Sequence, residues 1–331
     1  MPSRITILGS GAWATACALL LCEREDQQVA LWCRDPANAA TMNRDRMNAR
    51  LLPGVRFPDR LLVTGDIREA AASADYLVVA VPTKYLRATL APLAGAFPTG
   101  VTAISVVKGI ENRTLERPTE IIRECLPVGD VAVLSGPSHA EEVANRLPAS
   151  VVAAAASPDL ARRVQEMFTT DRFRVYSNSD LLGVELAGAL KNVIGIAAGI
   201  CAGLGFGDNA VSALMTRGIV EITRFGVALG ADSATFAGLA GIGDLITTCI
   251  SPHGRNRGVG ERIGRGETLD AILSSMPSVA EGVNTAASVH DLARQKGIEM
   301  PICEQVYHVL FAGRSPLAAT NALMMRPPRE E

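Results

Sequence analysis

ITILGSGAWATACALLL, residues 5–21, decides the fold. Four aliphatic or β-branched residues lead into Gly9-Ser10-Gly11, and a helical run of alanines and leucines follows. With Ala12, Trp13 and Ala14 the turn completes G-x-G-x-x-A, a version of the dinucleotide fingerprint. Gly9 makes the tight turn, Gly11 lets backbone approach a pyrophosphate, and Ala14 permits close helix–strand packing, while the helix amino terminus attracts phosphates. The same letters also fit an ordinary glycine-rich turn. VALW (29–32), arriving where a second strand is due, favours the nucleotide. That strand ends in Arg34, then Asp35. A guanidinium suits a 2′-phosphate and points to NADPH, whereas the carboxylate keeps NADH open. Trp13 suits core packing as well as cofactor contact.

Further strand-like runs follow at 61–64, 76–81, 101–107, 131–135, 151–156 and 173–176, interleaved with helical patterns. Near-continuous apolar strands between helices predict a mainly parallel sheet covered on both faces, with ligands at the carboxyl ends of its strands. Past Asn178 the pattern turns helical, with helices expected at 181–203, 208–229, 232–240, 255–265, 281–296 and 301–312. The fold class is therefore α/β: a Rossmann-like domain over 1–179, followed by an all-α domain over 180–331.

The 331 residues, 48% of them apolar, can bury a large core, and 34 acids against 32 bases leave a net charge of −2. That balance excludes a global field for nucleic acid or a membrane surface. Seven cysteines without a CxxC pair read as reduced thiols of a cytoplasmic protein, and His139, His253, His290 and His308 have no metal-ligand spacing. The first residues have neither a basic n-region nor an apolar h-region, so no targeting signal is expected.

LLGVELAGALKNVIGIAAGICAG (181–203) is long enough for a membrane span, but Glu185 and Lys191 near its centre oppose insertion. A buried helix is expected instead. A desolvated lysine there needs a partner. Its own face carries Val184, Ala187, Gly188, Ile194, Gly195, Ala198 and Gly199, with no carboxylate within helical reach. This small-residue face leaves room for another backbone or a ligand. Either a distant acid pairs with Lys191 across the core, or the lysine works on a ligand. Other polar groups stand at strand and helix ends. Lys108 follows the fifth strand, and Gly136-Pro137-Ser138 look like the entrance to a helix whose N–H groups receive an oxyanion. Asp244 lies behind a glycine turn in GIGDLITTC. Arg255, Asn256 and Arg257 open a helix with charge, fork geometry and N–H donors in one place, which fits a phosphate.

GSGAWA, NRDRMNARLLPGVRFPD, VVKGIE, LSGPSHAEEVA, GALKNVIGI, GFGDNAVSALMTRG, GIGDLITTC, GRNR and VAEG stand in this order along nearly the whole chain. Together they resemble the bacterial NAD(P)-dependent glycerol-3-phosphate dehydrogenases. The resemblance implies reversible reduction of dihydroxyacetone phosphate to sn-glycerol 3-phosphate, feeding phospholipid synthesis in the cytoplasm. It implies Lys191 as general acid/base. Substrate positions would be Lys108, Gly136, Ser138, Lys191, Asp244, Gly254, Arg255 and Asn256, with a lysine pKa lowered by burial beside Lys108 and Arg255. Cofactor positions would be Gly9, Ser10, Gly11, Ala12, Trp13, Ala14, Arg34, Lys108, Ala140, Arg255, Val279 and Glu281. No metal is implied. The partner is a phosphorylated triose, with no nucleic acid and no membrane span, and the assembly a homodimer. Three residues depart from the family pattern: Gly254 for a serine, His139 for an aromatic residue and Val107 for a threonine. Two other readings stay open, a reductase of another 2-oxo compound on the same architecture and a non-catalytic NADPH-binding sensor.

Overall fold

The computed structural model describes residues 2–71, 74–276, 278–328 and 330. All eight strand-like runs enter one sheet: β1 (Ser3–Leu8), β2 (Gln27–Trp32), β3 (Leu62–Thr64), β4 (Tyr76–Val79), β5 (Val101–Ser105), β6 (Val128–Ser135), β7 (Ala149–Ala155) and β8 (Phe173–Asn178). Their spatial order is β8-β7-β6-β5-β4-β1-β2-β3. Every neighbouring pair is parallel except β6 with β7. The run from β3 to β6 has the 3-2-1-4-5-6 order of a dinucleotide-binding sheet, whose strand order reverses beside β1.

Alternation along each strand explains why both faces are covered. Ile5, Ile7, Val29, Leu31, Val78 and Ile104 share one core with Ala16, Cys17, Leu20 and Leu21 of helix Ala12–Leu21. Leu8, Leu77, Val79 and Ala103 face the other core, with Leu86 and Leu90 of helix Thr83–Leu90 and Ile121 and Ile122 of helix Pro118–Cys125. A parallel sheet buried on both sides needs such double apolarity. A small hairpin, Met47–Asn48 against Leu52–Arg56, was not legible as strands because it has no run of alternating residues.

The chain folds as two compact units. The first holds the residues up to Lys108 with Glu116–Glu185, and the second holds Gly109–Leu115 with Leu186–Glu331. The start of the long helix Leu181–Gly203 thus belongs with the sheet, and Glu185 shows why. Its buried carboxylate accepts from Arg117 Nη1 at 2.7 Å, Thr119 N at 2.8 Å and Thr119 Oγ1 at 2.8 Å. The helices expected past Asn178 appear at Leu181–Gly203, Asp208–Ala228, Arg255–Gly264, Glu281–Lys296 and Pro301–Phe311, while the one expected over 232–240 is met only by the short Ser233–Phe236, with a π turn starting at Leu239. Three more were not anticipated: Asp244–Ile250, Leu269–Ser275 and Pro316–Met324. Leu181–Gly203 and Ser233–Ile250 are long and apolar enough to cross a membrane, but 83% of the first one's most apolar window is buried inside the protein.

The small-residue face of the long helix meets a backbone. A Cβ on Gly199 would lie 1.9 Å from the Arg257 carbonyl oxygen, and one on Gly203 would lie 2.3 Å from that of Glu261. The neighbour answers in kind. A Cβ on Gly260 would lie 1.9 Å from the Ile196 carbonyl oxygen. Glycines on both sides therefore let helices Leu181–Gly203 and Arg255–Gly264 touch main chain to main chain. The small-residue face was expected to hold substrate; at Gly199 a backbone fills it, while nearer Lys191 a Cβ on Gly195 would meet the Thr248 side chain at 2.5 Å.

Glu221, in helix Asp208–Ala228, caps helix Pro301–Phe311 by accepting Ile302 N at 2.7 Å and Cys303 N at 3.3 Å. Burial pushes its carboxyl up to about 7 from 4.5, against the pull of those N–H groups. A folded-state value above the unfolded one means stability that is fully present below pH 4.5 and is lost as pH rises through 7, on the order of 3 kcal/mol. Glu221→Gln should lower the melting temperature at acid pH by losing one capping bond, and should flatten its fall between pH 4.5 and 7.5. Parallel melting curves for the two proteins across that range would refute the assignment.

Candidate active site

The dinucleotide loop is built from backbone. Gly9 has φ +113°, donates to the Trp32 carbonyl at 3.1 Å, and would place a Cβ 3.1 Å from the Ala80 carbonyl oxygen. A side chain there is strained and crowded, as the fingerprint requires. Gly11 caps helix Ala12–Leu21, and a Cβ added to it meets nothing within 4 Å. No acidic residue occupies the first turn, so the helix dipole is unopposed there. Ala14 is buried against the core. Ser10 Oγ donates to Cys33 Sγ at 3.1 Å. The Trp13 ring lies 6.5 Å from that of Phe173 and packs on the core, while its indole Nε1 is buried without a hydrogen-bond partner. Open space at Gly11, an unopposed helix start and an unused buried donor fit a dinucleotide phosphate.

At the end of β2, Asp35 caps helix Pro36–Asp45 by accepting from Ala37 N at 3.0 Å. Its neighbour Arg34 is exposed. The ambiguity between carboxylate and guanidinium thus has a structural side, since only the guanidinium is left uncommitted by the local fold.

Lys108 and the β6 end form one cluster. The Gly136 carbonyl accepts from Lys108 Nζ at 2.9 Å and from Ser138 Oγ at 2.9 Å. Gly136 has φ +138°, and a Cβ on it would lie 2.9 Å from Val151 Cα. The helix after it did not turn out as expected. It is a five-residue segment, Ala140–Ala144, with His139 at its N-cap and Glu141 and Glu142 in its first turn. Those carboxylates disfavour an oxyanion at its start, so Gly136 serves to hold Lys108 and Ser138. Ala140 is buried in the core.

In the helical unit Lys191 has its partner. The lysine is 8% exposed and Asp244 2%. Lys191 Nζ stands 3.1 Å from Asp244 Oδ1 and donates to Thr248 Oγ1 at 2.6 Å. The acid that the long helix could not supply comes from helix Asp244–Ile250, entered through a wide π turn, Leu239–Gly243. Such turns recur at functional sites. The sequence offered cationic neighbours, Lys108 and Arg255, whereas the charge beside Lys191 Nζ is the Asp244 carboxylate. Thr248 was missed. It is i+4 from Asp244, so reading DLITTC as helix would have put both on one face.

Asn256 was expected on the phosphate side, but its side chain is used internally. Its Nδ2 donates to Asn192 Oδ1 at 2.9 Å, and its Oδ1 accepts Gly282 N at 2.9 Å. Asn192, next to Lys191 and buried, was also missed. Arg255 Nη1 donates to the Val279 carbonyl at 3.0 Å, which brings Arg255 beside Val279 and, two residues on, Glu281 at the start of its helix. Helix Arg255–Gly264 begins at Gly254 without a side-chain cap and without an acid in its first turn. An exposed guanidinium at an uncapped, acid-free helix start can take an anion.

The model of the NAD-dependent glycerol-3-phosphate dehydrogenase amino-terminal domain matches residues 4–161, and that of the carboxyl-terminal domain matches residues 180–321. The chain belongs to this family. A relative from Chlorobium limicola named glycerol-3-phosphate dehydrogenase (NAD(P)+) is 49% identical over 330 residues, covering 99% of each chain. The crystal structure of glycerol-3-phosphate dehydrogenase from Coxiella burnetii superposes with a TM-score of 0.94 at 34% identity, covering 98% of this chain and 99% of that one. A PanE/ApbA family ketopantoate reductase from Ralstonia eutropha reaches a TM-score of 0.60 at 14% identity over 97% of this chain and 99% of its own, a likeness of fold alone.

Two of the three departures from the family pattern, Gly254 and Val107, have local settings that use their backbone. Gly254 caps its helix through backbone, its carbonyl accepting from Gly258 N at 2.8 Å. Val107 is buried, and its N–H is taken by Ser105 Oγ at 3.3 Å, so its backbone is what the strand end uses. Cys249, next to Thr248, has its thiol pushed up to about 12 by burial despite Lys191 nearby. It stays protonated and supplies no thiolate.

Proposed function

We propose that this member of the family catalyses the reversible reduction of dihydroxyacetone phosphate to sn-glycerol 3-phosphate, with NADPH preferred over NADH, in the cytoplasm. The observation that carries the reading is a buried ammonium, Lys191, fixed by Asp244 and Thr248. In the reducing direction Lys191 Nζ gives a proton to the oxygen developing on C2, and in the oxidising direction it takes the hydroxyl proton back. The nicotinamide, when bound, supplies or receives the hydride. Asp244 holds the charge of Lys191, and Thr248 fixes the direction of its N–H bonds. Arg255, with the helix start at Gly254, takes the phosphate, and Asn256 ties that start to Asn192 beside the lysine. Lys108, Gly136 and Ser138 make the polar cluster of the sheet unit. Gly9 to Ala14 hold the pyrophosphate by backbone, Arg34 the 2′-phosphate, and Ala140, Val279 and Glu281 complete the cofactor positions. Seven free thiols support a reducing compartment. Exposed Leu317, Met324 and Met325 offer apolar surface for a homodimer.

Following NADPH absorbance with dihydroxyacetone phosphate, and with a 2-oxo acid as competitor substrate, tests the reaction. Turnover of the triose phosphate alone is expected. Reduction of the oxo acid instead, or cofactor binding without any turnover, would overturn the reading. Arg34→Ala should raise KM for NADPH by roughly ten- to a hundredfold, the worth of a charge-assisted hydrogen bond, and leave NADH kinetics nearly unchanged. Equal losses with both cofactors would remove Arg34 from the 2′-phosphate.

A further inference from the structure

We propose that Asn48 is the positioning residue that aims the backbone N–H groups of the dinucleotide loop, a role that rests on the cofactor reading above. Asn48 lies on the short hairpin and is 2% exposed. Its amide nitrogen donates to the Ser10 carbonyl at 3.0 Å and to Thr15 Oγ1 at 3.0 Å, and its Oδ1 accepts Leu51 N at 3.3 Å. Thr15 Oγ1 in turn donates to the Gly11 carbonyl at 2.9 Å. Two consecutive loop carbonyls are therefore held by side chains.

In a trans peptide the N–H points opposite to the C=O, and no cis bond occurs among the described residues. Pinning the Ser10 carbonyl to Asn48 turns the Gly11 N–H the other way. The Gly11 carbonyl, which accepts from both the backbone N–H and the hydroxyl of Thr15 at 2.9 Å, is held likewise and turns the Ala12 N–H outward, so the clamp peculiar to Asn48 is the one on Ser10. These are N–H groups of the kind a pyrophosphate uses, and they flank the glycine whose Cβ position is open. A glycine loop has little intrinsic preference for one peptide orientation, so an external clamp is needed to set it. Asparagine suits the task, since one nitrogen carries two donors for two acceptors while its oxygen satisfies the hairpin. Serine offers one donor and aspartate none.

Asn48→Asp puts a carboxylate against the Ser10 carbonyl, and Asn48→Ala removes both donors without adding charge. In both, KM for NADPH and the Kd of NADP+ should rise about tenfold or more, while kcat at saturating cofactor and KM for dihydroxyacetone phosphate stay within about twofold. Acidification should restore NADP+ binding to Asn48→Asp, where a protonated carboxyl can donate again, and not to Asn48→Ala. A merely structural residue would lower kcat and both KM-defined affinities together. The proposal is overturned if wild-type protein binds NADP+ and both variants match it, or if the substrate KM rises in step with that of the cofactor. Wild-type protein that binds no dinucleotide would overturn the cofactor reading underneath it.

Discussion

Lys191→Met should cut kcat by roughly a thousandfold, within the range of one general acid/base, with KM for both substrates changed far less. Methionine keeps the length and apolar stem of the lysine and removes the proton that the proposed scheme delivers to the oxygen on C2. It also strands Asp244, whose buried carboxylate would lose its cation. Breaking such a pair costs about 3–5 kcal/mol of stability, so a low rate could be blamed on unfolding. The double variant Lys191→Met, Asp244→Asn separates the two effects. It should recover much of the melting temperature, because no buried charge remains, and none of the rate. A single variant with kcat within tenfold of wild type would end the proton-transfer scheme.

Gly199→Ala should be among the most damaging single-methyl changes in the chain. The added Cβ would stand 1.9 Å from the Arg257 carbonyl oxygen, a main-chain atom that no rotamer change can move away. The cost should reach about 3 kcal/mol or more, at the upper end for overpacking, because two helices must part to admit it. Melting temperature measures that loss. Protein that remains folded at low temperature should keep its KM for dihydroxyacetone phosphate, since the stripe touches a helix. An unaltered melting temperature with a raised substrate KM would show that the stripe faces ligand after all.

Much of this was readable from one chain. The eight strands were legible because the central ones are short apolar runs buried on both sides and the edge strand Phe173–Asn178 alternates buried with exposed residues, and the fingerprint was legible because Gly9 and Gly11 have separate backbone duties. What escaped depended on long-range placement. Lys191 and Thr248 are 57 residues apart, and no periodicity connects them. The glycine stripe announced a close approach without saying whether a ligand or a main chain makes it. Asn256 looked like an anion ligand by residue type, yet its amide closes a bridge between Asn192 and Gly282. Helix Asp244–Ile250 was hidden by Gly241 and Gly243, which read as a turn and instead belong to the π turn leading into it. Asn48 carried no signal of its own, because its partners are a carbonyl and a hydroxyl from another element.

The glycine contact between helices Leu181–Gly203 and Arg255–Gly264 fixes a length. One helix carries the ammonium, the other the guanidinium and its uncapped start, and at Gly199, Gly203 and Gly260 they meet main chain, with the Asn192–Asn256 hydrogen bond as a side-chain tie between them. Ordinary sequence drift therefore has no handle on that spacing, and the pair works as a rigid gauge. Under the proposed roles of Lys191 and Arg255, a substrate is measured from its reacting carbon to its anionic end. Selectivity for chain length is then set by main-chain geometry, upstream of any residue that touches what is bound.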